Sequence, residues 1–182
     1  MRIIAGAWRG RTLTAPDGLT TRPTASRVRQ ALFDVLLHAP WAEGAVEGSA
    51  VLDVFAGSGA LGLEALSRGA DSATFIDNDR AASDAIRRNI AACKATDRAT
   101  LVTADALALP QGKPHTLVFL DPPYGLDLIP RAIASLSKAG WIAPDALIAA
   151  EFGRTDLLPE TIMPLAERLH GAARLVIWRQ KR

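Results

Sequence analysis

The chain has 182 residues, of which 49% are hydrophobic and 22% charged, a balance typical of one folded domain covering residues 1–182. One cysteine cannot form an internal disulfide, and three scattered histidines lack metal-site spacing, so we expect no metal and a reducing, cytoplasmic location. No run approaches the ~20 apolar residues that cross a bilayer, so no membrane role is expected. A monomer is the default expectation.

Positive charge is concentrated at the amino end of the chain. The net charge is only +2, yet six arginines and a single acidic residue precede Asp34. A polyanion is a natural partner for such a segment, because each neutralised phosphate releases counterions. A solvated basic arm that only aids solubility is the alternative that charge by itself leaves open.

Residues 1–23 carry glycines and prolines between short apolar pieces, which predicts an arm of turns or a small hairpin outside the core. A helix follows, capped by Thr24 or Ser26, because apolar residues recur there at helical spacing. We expect one face of this helix to pack and its arginines to face elsewhere. Residues 1–48 are therefore the predicted arm and helix, and residues 49–182 the predicted core.

From Ala50 onward, short apolar runs alternate with longer helical segments, the pattern of a parallel sheet covered by helices. The runs predict five strands, AVLDVF, SATFID, ATLVTA, HTLVFL and ALIAAEF. The intervening helices are predicted at residues 58–67, 80–95 and 126–138. Two last runs, LAERLH and ARLVIWR, lie too close for a parallel crossover and require an antiparallel hairpin. The pattern predicts an α/β fold with a mostly parallel seven-stranded sheet and helices on both faces.

A glycine motif, GxGxxG, follows the first predicted strand at Gly57, Gly59 and Gly62, where bare backbone lets a ligand approach closely. Asp77 ends the next strand twenty residues beyond Gly57, where a carboxylate can accept both hydroxyls of an adenosine ribose. Asp53 is expected near the mouth of the site, where it would repel a pyrophosphate and favour the ammonium group of a methionine. These residues predict S-adenosylmethionine rather than a dinucleotide.

Further candidates for cofactor binding flank these positions. Asp105 follows the third strand, where it could contact an adenine or cap a helix, and the two roles are compatible. The complete candidate set is Asp53, Gly57, Ser58, Gly59, Asp77, Asn78, Asp105 and Ala106. A tight strand-to-helix turn with no ligand is the alternative explanation of the glycines.

The tetrapeptide Asp121, Pro122, Pro123 and Tyr124 follows the strand HTLVFL, at the edge where open α/β sheets hold their ligands. An aromatic amine is a poor nucleophile because its ring shares the lone pair, so acceptors such as the Asp121 carboxylate and the Pro122 carbonyl must orient it. The prolines stiffen the loop, and Tyr124 offers a flat face to a base drawn out of its stack. The motif predicts methyl transfer to a base amine, with Asp121 receiving the proton directly or through water. A rigid turn before a helix is the alternative.

Four segments, MRIIAGAWRGRTL, TRPTASRVRQALFDVL, LDVFAGSGALGLEALSRGA and DPPY, resemble in order the arm, helix, cofactor and catalytic segments of the bacterial 16S ribosomal RNA guanine-N2 methyltransferase family. The resemblance covers nearly the whole chain and implies a Rossmann-like class I methyltransferase fold. It implies S-adenosylmethionine as cofactor and the N2 amine of a 16S rRNA guanine, presented during small-subunit assembly, as methyl acceptor. The RNA contacts that it implies are Arg9, Arg11, Arg22, Arg27 and Arg29.

The sequence departs from the family pattern at Ser26 and Gln30, where members often carry acidic residues, and at Asp77, where Glu is common. An amino methyltransferase of DNA or of another RNA is the nearest alternative, although no segment is large enough for a target-recognition domain. A non-catalytic RNA-binding assembly factor and a nicotinamide oxidoreductase are further alternatives. Intact cofactor and amine motifs disfavour the first, and the tetrapeptide disfavours the second.

Overall fold

The computed structural model describes residues 1–16 and 23–181. Within these ranges, seven strands form one sheet in the order β3-β2-β1-β4-β5-β7-β6. The strands are β1 (Ala50–Val54), β2 (Ser72–Asp77), β3 (Ala99–Thr103), β4 (His115–Leu120), β5 (Ile142–Gly153), β6 (Pro164–His170) and β7 (Ala173–Arg179). Strands β1 to β5 pair in parallel, and β7 runs antiparallel to both β5 and β6. The predicted α/β fold with its closing antiparallel hairpin is confirmed.

Helices cover both faces of the sheet, as predicted. They are α1 (Pro23–His38), a short 3₁₀ helix (Pro40–Ala42), α2 (Ala60–Ser67), α3 (Arg80–Ala92) and α4 (Leu128–Lys138). Buried residues of α1, α2 and α3 belong to one apolar cluster, in which the rings of Phe33 and Phe119 meet edge to face at 5.8 Å. Ile129 and Leu136 of α4 belong to a second cluster on the opposite face. Among the described helices, none is long and apolar enough to cross a membrane.

Several predicted boundaries are wrong by two or three residues, and backbone conformation explains the differences. Helices α2 and α4 begin two residues later than the sequence predicts. The residues before them, Gly59 and Asp127, have φ of 73° and 50°, in the left-handed region, and so cannot belong to the helices. Helix α3 ends at Ala92 rather than at residue 95, since Lys94 has φ 53°. Helix α1 begins at Pro23, so neither Thr24 nor Ser26 precedes it as a cap.

The amino-terminal arm packs into the core, contrary to the prediction that it lies outside. Ile3 and Leu13 are each 2% exposed, and an antiparallel bridge joins Arg2 to Thr12. A Cβ at Gly6 would lie 1.8 Å from the Ser67 carbonyl oxygen, so the arm approaches α2 more closely than any side chain permits. The sequence predicts only a turn at Gly6, whereas in the structure this glycine allows the arm to pack closely against α2.

Buried Glu64 of α2 holds the arm in place. Its carboxylate accepts hydrogen bonds from the backbone N–H groups of Ile4 at 2.8 Å and Ala5 at 3.0 Å. Arg68 lies 2.8 Å and Arg29 3.6 Å from the same carboxylate. One buried acid therefore joins the arm, α1 and α2 on a single face of the sheet.

Candidate active site

The candidate site lies at the carboxyl-terminal edge of the sheet, between β1 and β4. Strands β2 and β3 extend to one side of β1 and strands β4 and β5 to the other, so the strand order reverses at this point. Open α/β folds bind ligands in the crevice that such a reversal creates. The register pairs Asp53 with Phe119 and Val54 with Leu120, so the loops after β1 and β4 begin side by side.

The glycine loop after β1 is shaped to admit a ligand. Gly57 and Gly59 have φ of 55° and 73°, which favours glycine at both positions. A Cβ built on Gly57 would meet no atom within 4 Å, so open space adjoins the loop there. At Gly62 a Cβ would lie 2.5 Å from the Phe75 ring, and this glycine therefore serves the packing of α2 against β2.

Asp77 fixes the loops that follow β1 and β2. Its Oδ2 accepts the N–H of Gly57 at 2.8 Å, and its Oδ1 accepts the N–H of Asp79 at 2.9 Å. The carboxylate is half-buried and is held at the end of β2, as the sequence predicts. It could accept ribose hydroxyls from this position, but the sequence did not indicate that it also orients the glycine loop.

Asp53 lies beneath the glycine loop rather than at the mouth of the site, where it was expected. It is 1% exposed, and its Oδ2 accepts the N–H of Gly62 at 2.9 Å. Burial raises the pKa of Asp53 to about 8, opposed by the Gly62 hydrogen bond and assisted by Asp121 and Asp77. A cation that bound nearby would stabilise the carboxylate.

The remaining candidate cofactor residues occupy different environments. Asp105 is exposed, and its Oδ1 accepts the N–H of Leu107 at 2.9 Å in a turn. No helix lies between β3 and β4, so the interpretation of Asp105 as a helix cap is wrong. Asn78 is exposed beside Asp77, and Ala106 is buried against the α4 face. Buried Ser58 lies in the glycine loop, with its Oγ 3.3 Å from the Met1 sulfur.

The tetrapeptide after β4 enters the same crevice. Pro122 is buried, whereas Asp121, Pro123 and Tyr124 present surface to solvent. Crowding by surrounding protein first, and then the nearby charge of Glu151, raise the pKa of Asp121 to about 7. Asp121 thus has an accessible carboxyl that changes its charge near neutral pH.

Glu151 of β5 is a site residue that the sequence analysis missed. The Tyr124 hydroxyl donates a hydrogen bond to its Oε1. Leu120 pairs with Ala150, and Asp121 and Glu151 are the residues that follow this last pair on the two strands. An acid near the end of the otherwise apolar run ALIAAEF was the available signal.

The arginines predicted to contact RNA differ in accessibility. Arg9, Arg11 and Arg27 are exposed, and Arg11 also donates to the Ala92 carbonyl at the end of α3. Arg22 lies outside the described residues. The exposed three remain available to a phosphate backbone.

Arg29 is buried, and its predicted place on the outer face of α1 is wrong. It is 5% exposed, and its Nη2 donates to the Arg2 carbonyl at 2.7 Å. Burial lowers the pKa of Arg29, which the neighbouring Glu64 opposes. Its guanidinium connects α1 to the arm and is not exposed to RNA.

The chain is similar to known proteins over most of its length. The model of the family described as conserved hypothetical protein 95 matches residues 1–179. Ribosomal RNA small subunit methyltransferase D of Escherichia coli K12 is 45% identical over 83% of this chain and 74% of its own length. The protein of that name from Haemophilus influenzae is 38% identical, covering 94% of this chain and 89% of its own. The solved structure of Escherichia coli yhhF superposes with a TM-score of 0.84 at 39% identity, over 100% of this chain and 98% of that one.

Proposed function

Because the chain belongs to the conserved hypothetical protein 95 family, with relatives named ribosomal RNA small subunit methyltransferase D, we propose that it methylates the N2 amine of a guanine in 16S rRNA. S-adenosylmethionine is the methyl donor. The substrate is presented on an assembling small ribosomal subunit. The resemblance found in the sequence and the names of the relatives support the RNA class, and the site supports the reaction.

The residues of the glycine loop fit this cofactor. Gly57 leaves open space beside Asp77, whose carboxylate suits a ribose, and Asp53 supports the loop from beneath through the N–H of Gly62. Asn78, Asp105 and Ala106 lie on the loops after β2 and β3, where an adenine would extend. When bound, the cofactor supplies a methyl group already activated on a sulfonium. The protein therefore needs only to orient the acceptor.

Asp121 and Pro122 orient the amine in this proposal. The Asp121 carboxylate and the Pro122 carbonyl accept the two N2 hydrogens, which directs the nitrogen lone pair toward the methyl group. On accepting the methyl group that the bound cofactor would supply, the amine would lose one proton to Asp121, directly or through water. Tyr124, which is 42% exposed, supports the extruded base by stacking.

One observation carries the proposal: β1 and β4 are adjacent, so the glycine loop and the tetrapeptide meet at a single strand-order reversal. A nicotinamide oxidoreductase would use the first loop but not the second. A binding factor without catalysis would need neither an open glycine loop nor an accessible Asp121.

Labelled S-adenosylmethionine, supplied in turn to small-subunit particles, free 16S rRNA and DNA, tests this function. We expect label in the particles, and Asp121→Ala should abolish it while S-adenosylhomocysteine still binds with near-normal Kd by calorimetry. Asp97→Ala, which removes an exposed acid remote from the crevice, is the control and should retain activity. Label in DNA alone, or undiminished turnover by Asp121→Ala, would refute the proposal.

A further inference from the structure

Glu151 contacts the proposed reacting loop without a role in the steps described above. It is half-buried on β5, one strand from the tetrapeptide, and its Oε1 accepts the Tyr124 hydroxyl hydrogen. The rest of the run from Ala146 to Ala150 is buried and apolar. A carboxylate at this position is costly unless it has partners, so its placement at the crevice calls for a chemical reason.

The adjacent ends of β4 and β5 bring the two carboxylates close together. Parallel pairing ends with Phe119 opposite Ala149 and Leu120 opposite Ala150; Asp121 directly follows the last paired residue of β4, and Glu151 is the next residue of β5. The raised pKa of Asp121, to which Glu151 contributes, agrees with this proximity. The crevice therefore presents two adjacent acceptors, with the Tyr124 ring fixed beside them by its hydroxyl.

Adjacent acceptors distinguish the bases that carry an exocyclic amine. Guanine presents two donors side by side, the N2 amine and N1–H. Adenine and cytosine present their amine beside a ring nitrogen that carries only a lone pair. A carboxylate next to Asp121 would bond the guanine N1–H and repel the lone pair of the other two bases.

We propose that Glu151 is a specificity-determining residue whose carboxylate accepts the N1–H of the target guanine while Asp121 and Pro122 hold its N2 amine. The Tyr124 hydroxyl keeps that carboxylate in place through the hydrogen bond to Oε1. This inference rests on the proposed guanine-N2 function and deepens it. Selection of guanine then depends on a residue outside the tetrapeptide, which is itself indifferent to the kind of amine.

A base analogue tests the inference directly. 2-Aminopurine keeps the amine at carbon 2, but its N1 carries a lone pair in place of hydrogen. The wild type and Glu151→Gln are each assayed on reconstituted small-subunit particles that carry either guanine or 2-aminopurine at the modified position. The isosteric amide can donate to the analogue's N1, whereas the carboxylate cannot.

We expect the wild type to prefer guanine by roughly 100-fold in kcat/KM, and Glu151→Gln to reduce that preference at least about tenfold. 2-Aminopurine also lacks the O6 of guanine. That difference affects both enzymes equally, so it cancels when their preferences are compared. Tyr124→Phe should reduce the preference in the same direction but less. Equal losses on both substrates would make Glu151 merely structural and overturn the inference alone. If the wild type methylates no guanine, both the proposed function and this inference fail.

Discussion

Among single residues, Asp121 is the one whose protonation controls the reaction in the proposed mechanism. Its role requires the carboxylate, which accepts hydrogens from the amine, whereas the protonated acid would donate one. Loss of hydration and then the charge of Glu151 raise its pKa to about 7. At neutral pH, therefore, only part of the protein has Asp121 in the ionised form. The sequence predicted the residue and its place after β4, but the raised pKa depends on contacts with β5 that no local pattern contains.

Methyl transfer should therefore rise with pH through about 7. A carboxyl with a raised pKa is protonated below that value, so activity falls as pH falls through it. The measurement is single-turnover methylation between pH 5.5 and 8.5, with cofactor binding followed over the same range to separate binding from the reaction. A rate that stays constant across the range would contradict the assigned role of Asp121.

Among the elements, the amino-terminal arm departs most from its sequence pattern. Glycines, prolines and arginines predicted an outlying basic arm, yet Ile3 and Leu13 are buried and Glu64 accepts its backbone N–H groups. Glu64 lies 60 residues from its partner Ile4 along the chain, a separation that no local signal reveals. The strands of the core were easier to predict, because their apolar runs are continuous.

Glu64→Ala should destabilise the fold strongly. Removing one partner leaves Arg29 and Arg68, whose side chains are 5% and 7% exposed, without their buried counter-charge. Such losses cost about 3–5 kcal/mol of unfolding free energy. Urea unfolding measures the effect, and Glu43→Ala, at an exposed acid, is the control with an expected change within ~0.5 kcal/mol. A loss below ~1 kcal/mol for Glu64→Ala would show that the arm does not depend on this carboxylate.

In the whole molecule, the exposed arginines lie at both edges of the sheet. Arg11 contacts Ala92 at the end of α3, and Arg9 follows Trp8, whose N–H bonds Ser67 at the end of α2, so both lie away from the crevice. The Trp41 carbonyl, just beyond α1, accepts a hydrogen bond at 3.0 Å from Arg179, which pairs with Leu147 in the first half of β5. Helix α1 therefore ends toward the amino-terminal edge of the sheet and begins toward the crevice. This orientation brings exposed Arg27 near the reacting edge. The strand order that creates the crevice could not be predicted, since it is set by long-range pairing.

Replacing Arg9, Arg11 and Arg27 together with alanine should weaken RNA binding and flatten its salt dependence. Each lost phosphate contact removes roughly 0.7 to 0.9 from the slope of log K against log salt, so the triple variant should lose about 2 to 3. Filter binding to 16S rRNA at several salt concentrations gives the slope. Lys113→Ala with Lys138→Ala, at two exposed lysines before β4 and at the end of α4, is the comparison and should leave the slope nearly unchanged. An unaltered slope in the triple variant would count against the arm as the RNA contact.

The identity of the methylated nucleoside tests the central proposal most directly. Small-subunit particles isolated from cells that lack this activity would be incubated with the protein and labelled S-adenosylmethionine, and their 16S rRNA digested to nucleosides. Chromatography with mass spectrometry then identifies the labelled product. The proposed function predicts N2-methylguanosine at one position, whereas label in N6-methyladenosine, in a methylcytidine or in no nucleoside would contradict it.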